Sequence, residues 1–90
     1  MSDCVAPHLS LPQPNCRELK WFEFVSGDRC RAVAWTCDCT ARFYELYAMA
    51  GVGFIRRTIQ RTPISIVETN RWPLRQAREV WADIMAGRAR

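Results

Sequence analysis

The sequence predicts an α+β domain: an antiparallel sheet of four to five strands, one C-terminal helix packed on one face, and a poorly ordered N-terminal arm before them. Three observations predict it. Residues 73–87 carry a single punctuated amphipathic helix. The middle of the chain alternates like β-strands. The start is rich in proline and has little periodicity.

Residues 1–18, with Pro7, Pro12 and Pro14, read as an extended or disordered arm, and residues 19–90 as one small domain. Residues 19–25 are β-prone and aromatic. Phe22 and Phe24 share one face, and Trp21, Glu23 and Val25 the other. Ser26, Gly27 and Asp28 form a turn signal, and residues 31–36 alternate again, so the two segments predict a hairpin.

Residues 40–51 admit two readings. Phe43, Leu46, Tyr47 and Ala50 fit helical spacing, with Thr40 as a cap and Gly51 as a stop. The same stretch is strongly β-prone. The hairpin reading is preferred, because residues 50–53 (Ala-Gly-Val-Gly) can turn the chain and the strand at 54–60 needs a neighbour. Arg61, Thr62 and Pro63 break the pattern, and residues 64–69 make one more strand.

The helix buries an arc of Leu74, Ala77, Val80, Trp81, Ile84 and Met85, with Trp81 as the expected anchor. Pro73 suits the first turn and Asn70 is the nearest cap. Gly87 is a left-handed stop, followed by Arg88 and Arg90 at the negative end of the dipole.

The chain has 13 basic and nine acidic residues, and every basic residue except Lys20 is Arg. Arg makes planar bidentate contacts to phosphate and carboxylate. Arg31, Arg42, Arg56, Arg57 and Arg61 are therefore the candidate nucleic-acid contacts, on whichever sheet face the helix leaves open. Ten aromatics are many for one small core. Trp21, Trp35, Tyr44, Tyr47 and Trp72 cannot all meet a single helix, so they are the candidates for a protein interface, which would make the chain an inhibitor or adaptor, or a homodimer.

Five cysteines are present. Cys30, Cys37 and Cys39 cluster in sequence and are the candidate zinc ligands, with Cys4, His8 and Cys16 upstream. Zinc favours two close ligand pairs, and Cys37-Asp-Cys39 with Cys4-x-x-x-His8 could supply them, although no C-x-x-C occurs. The expectation without a metal is buried or incidental thiols.

Catalysis has no motif behind it. His8 is the only histidine, no serine sits in a nucleophile elbow, and no phosphate-binding glycine loop exists. No charged n-region or apolar h-region opens the chain, and the longest uncharged apolar run, residues 47–55, is too short to span a bilayer. The sequence thus predicts a non-enzymatic cytoplasmic protein with no membrane partner and no cofactor unless zinc is held. The leading expectation is a regulatory or accessory protein binding nucleic acid, and the alternative is a protein-interaction module.

From Phe43 onward the chain resembles the small arm-type DNA-binding domain of tyrosine recombinases, a three-stranded antiparallel sheet on a C-terminal helix. The resemblance rests on the strands at 43–47, 54–60 and 64–69 and on Ala77 and Trp81. It implies a sheet inserted into the major groove, with Arg56, Arg57 and Arg61 carrying contacts. The chain departs from that pattern where the loop after Gly51 lacks basic residues and the sheet lacks Lys. As a whole it also resembles short proteins of GC-rich bacteria and their mobile elements, which imply no function.

Overall fold

The computed structural model describes residues 6–24 and 30–90. The elements are β1 (Phe22–Glu23), β2 (Arg31–Trp35), β3 (Arg42–Met49), β4 (Val52–Ile59), β5 (Ser65–Glu68), β6 (Trp72–Pro73) and α1 (Leu74–Met85). The fold is α+β: an antiparallel sheet in the order β1-β5-β4-β3-β2, with β6 paired to the end of β4 and one C-terminal helix across one face. Among the described residues no helix is long and apolar enough to cross a membrane.

β3 and β4 form the centre. Ala50 and Gly51 have φ of 50° and 81°, which makes a two-residue turn with both central residues left-handed. That turn matches the twist of two long strands, and it decides residues 40–51 in favour of a strand. Leu46 pairs with Ile55 and Ala48 with Gly53, placing Tyr44, Leu46, Gly53 and Ile55 on the helix side. Tyr44, Leu46, Ile55, Ala77, Val80, Ile84 and Ala89 make the buried core. Trp81 is half-buried at its margin, so Val80 and Ile84 anchor the helix instead. The helix lies close because Gly53 has no side chain: a Cβ there would stand 2.7 Å from the Ala77 Cβ.

The hairpin expected between residues 19–25 and 31–36 is not formed. Each of β3 and β4 has one free edge once the central hairpin closes. β2 takes the edge of β3 and β5 that of β4, and β1 pairs with the outer edge of β5, at the opposite margin from β2. The predicted turn at 26–28 lies outside the described residues. A bulge at Val33, between Ala32 and Ala34, lets both Val33 and Ala34 reach the core.

Helix α1 begins without a side-chain cap. β6 runs straight into it, so Asn70 has no loop from which to fold back. The first N–H, on Leu74, donates instead to the carbonyl of Gly51 at 2.8 Å. At the other end Gly87 has φ 79°. Its N–H donates to Ile84 O at 3.1 Å and the Arg88 N–H to Asp83 O at 2.8 Å, a Schellman closure. Arg90 Nη1 caps the Ile84 carbonyl at 2.6 Å.

Residues 6–18 are extended and bound. The Ser10 N–H donates to Met85 O, Gln13 to Gly87 O and Arg17 to Arg88 O, while the Arg90 N–H returns to Arg17 O. Leu9 and Leu19 pack on the core. Near its start, the Pro7 carbonyl accepts from the Cys37 N–H at 2.9 Å. The arm thus ties the end of the helix to the turn that joins β2 to β3.

Candidate functional site: the uncovered sheet face

Alternation along the strands assigns the residues of the uncovered face. β3 presents Phe43, Glu45 and Tyr47, and β4 presents Phe54, Arg56 and Thr58. Glu68 lies across from Arg56, and Phe22 across from Glu68. Phe24, one step further along, donates its N–H to Ile66 O at 3.3 Å.

A charged and aromatic stack occupies the middle of this face. Arg56 donates from Nε at 2.9 Å to Glu68 Oε2, from Nη2 at 2.8 Å to the same oxygen, and from Nη1 at 3.0 Å to the Tyr47 hydroxyl. Its guanidinium lies 4.4 Å from the Phe24 ring centroid and 4.2 Å from that of Tyr47. Tyr47 stacks on Phe54 at 5.4 Å, and the Arg71 guanidinium lies 4.1 Å from the Phe54 ring centroid. Arg71 reaches the second oxygen of Glu68 at 3.6 Å. Glu68 is only 3% exposed and is held between two cations. The Tyr47 hydroxyl donates to Glu45 at 3.2 Å. Burial raises the Tyr47 phenol above its ordinary value. The nearby Glu45 carboxylate pushes the same way, and Arg56 opposes both.

Around the stack the face is apolar and open. Phe22 and Trp35 are each 53% exposed, and Phe24 and Ile66 are exposed as well. Phe22, Phe24 and Ile66 gather on β1 and β5. Trp35 stands at the far edge, across from Glu45.

The expected arginines are dispersed. Only Arg56 is on the uncovered face. Arg31 and Arg42 take helix-side register positions opposite Ala48 and Ile59. Arg57 is also on the helix side, 4.6 Å over the Trp21 ring. Arg61 is exposed in the loop after β4. Of the expected aromatic contacts, Trp35 and Tyr47 lie on the uncovered face. Trp21 and Trp72 are half-buried against the core, and Tyr44 is wholly inside it. Nothing in the sequence marks Phe22, Phe24, Ile66, Glu68 and Arg71 as members of one site. Alternation puts Phe22 and Phe24 on one face, but only the partner strand reveals that the helix does not cover it.

The cysteines regroup. Cys30 precedes β2 and Cys37 follows it, so the five-residue strand separates them. Cys37 and Cys39 lie instead in the turn after β2, and the arm brings His8 to them, with Nε2 3.3 Å from Cys39 Sγ. Cys16 is elsewhere on the arm, its thiol near Arg17 O. Cys4 lies outside the described residues. A cleft of about 200 Å³ opens beside His8 and Cys37, lined also by Thr40, Arg42 and Arg90.

The fold and these two features define a small α+β protein with one sheet face left uncovered. Comparison with protein-family models, curated proteins and solved structures gives no match.

Proposed function

We propose that the chain is a small non-enzymatic binding module that engages a protein partner through the uncovered sheet face. The supporting observation is the exposure of Phe22, Phe24, Ile66 and Trp35 around a cluster whose charges are already paired. Interface centres are depleted in unpaired charge and enriched in aromatic side chains and Arg, and residues of this kind dominate binding energy. Arg56 is committed to Glu68 and Tyr47 through all three of its nitrogens. A phosphate would have to displace a buried carboxylate to reach it. The arginines read as nucleic-acid contacts are divided between two faces and a loop. The geometry therefore favours a partner with a matching apolar, weakly charged surface, in an adaptor or inhibitor role.

A photoreactive benzophenone residue placed at position 22 or 35, in cells that make the protein, tests this. A discrete protein adduct is expected from both positions, absent when the probe sits at Arg75 or Glu79, and lost with Phe24→Ser and Ile66→Ser. Equal adducts from face and helix, or none from the face, would overturn the proposal. Random-sequence duplex DNA titrated at about 50 and about 200 mM salt supplies the other outcome. Binding that falls steeply with salt and disappears on Arg31→Ala and Arg42→Ala would replace the protein partner with nucleic acid.

A further inference from the structure

We propose that His8, Cys37 and Cys39 form a zinc site that fastens the N-terminal arm to the turn between β2 and β3. Their ligand atoms all lie within 4.8 Å of one another, with His8 Nε2 and Cys39 Sγ 3.3 Å apart. A tetrahedral ion with Zn–S of about 2.3 Å and Zn–N of about 2.0 Å needs sulfur and nitrogen roughly 3.5 Å apart and two sulfurs roughly 3.8 Å apart. The observed separations, at most 4.8 Å, lie within about 1 Å of those values. Two thiolates and an imidazole form a donor set suited to zinc, and the two negative sulfurs neutralise the ion.

The surrounding backbone holds the set in place. The Cys39 N–H points at Cys37 Sγ at 3.4 Å, a hydrogen bond that fixes the turn around the sulfur. The Cys37 N–H holds Pro7, the neighbour of His8, at 2.9 Å. Gln60, at the end of β4, donates its amide to Asp38 O at 2.8 Å and Thr40 O at 3.0 Å, bracing the turn from below. Arg42 and Arg90 line the adjoining cleft. Cys37 is buried, whereas His8 and Cys39 are exposed, so an ion has a path in from solvent.

The proposal stands apart from the sheet-face reading, and its test uses the full reduced chain with Co²⁺ as the probe. One Co²⁺ per chain is expected, with thiolate charge-transfer absorption in the near ultraviolet, tetrahedral d–d bands in the visible, and displacement by Zn²⁺. Loss of a hydrogen-bond partner behind a ligand typically weakens a metal site about 10- to 100-fold. His8→Ala and Cys39→Ser each remove a ligand, so each should weaken binding at least about tenfold, while Cys30→Ser leaves it unchanged. Both positions are exposed, so these variants decide the matter even if Cys37→Ser fails to fold. Absence of the charge-transfer band at stoichiometric Co²⁺ would overturn the site, as would binding that survives both variants or depends on Cys30.

Discussion

Arg56 and Glu68 face each other across β4 and β5, with two guanidinium nitrogens on one carboxylate oxygen at 2.9 and 2.8 Å. The carboxylate is buried, and it also holds Arg71. Removing one member of such a cluster leaves an uncompensated buried charge, which costs about 3–5 kcal/mol. Glu68→Gln should therefore destabilise the fold by about that much in urea unfolding. Replacing the pair together, Arg56→Met with Glu68→Met, should recover most of the loss, because apolar groups of similar volume often match a buried ion pair. If the double variant is as unstable as Glu68→Gln, the burial of charge is not the cause.

Gly53 sits where α1 meets β4. Gly53→Ala forces the new Cβ to within 2.7 Å of the Ala77 side chain and 3.0 Å of Leu74. Overpacking of this kind costs about 1–3 kcal/mol. The loss should shrink in an Ala77→Gly background once the cost of Ala77→Gly alone is subtracted. Thermal melts of the four chains in the cycle give the coupling directly.

Much of this architecture was legible from residue pattern. The 3.6-residue apolar arc, Pro73 and Gly87 locate the helix to within two residues at its end, since propensity and capping act locally. Strand identity was also local, because β-branched and aromatic runs need only fit a half-buried surface. Strand pairing was not. Whether Phe22 ends beside Arg31 or beside Glu68 is a choice between two outer edges, that of β2 and that of β5, which no local pattern makes, and the Ala50-Gly51 turn lacks the Asn-Gly signature that would have fixed the central hairpin first. The same limit hid the site. Arg56 and Arg57 are chemically identical neighbours. Only their partners make one a member of the open-face cluster and the other a cover for Trp21. Spacing offers His8 to Cys37 and Cys39 beside Cys4, Cys16 and Cys30 and cannot choose among them, because the contact depends on an arm that folds back along the helix end.

Tyr47 carries the pH prediction. Its folded pKa lies above the unfolded value of about 10 because burial and the Glu45 carboxylate disfavour the phenolate. The folded state then holds the proton when the unfolded state has begun to lose it. The stabilisation is complete below about pH 10 and disappears as pH rises through the folded pKa. Tyr44→Phe leaves Tyr47 as the only tyrosine. It also removes a buried hydroxyl without a hydrogen-bond partner among the described residues, so it should itself stabilise the fold by about 1 kcal/mol. In that background phenolate absorbance should rise later in folded than in urea-unfolded protein. Glu45→Gln should move the folded curve toward the unfolded one, and coincident curves in the parent would contradict the placement of Tyr47.

Gly87 joins the helix end to the arm, and the two demands on it can be separated. Its φ of 79° disfavours any residue with a Cβ, at about 1 kcal/mol. A Cβ there would also collide with the Leu11 carbonyl, which the arm lays across the helix end. Gly87→Ala in the full chain should cost more than the conformational penalty alone, by an amount set by how far the arm must lift. In a chain lacking residues 1–13, itself less stable because the Ser10 and Gln13 bonds to Met85 and Gly87 are gone, the same substitution should cost only about 1 kcal/mol. Urea unfolding of the four chains measures the difference. An equal cost in both backgrounds would mean that the arm does not press on the helix end, against the placement of Leu11 there by the Ser10 and Gln13 hydrogen bonds.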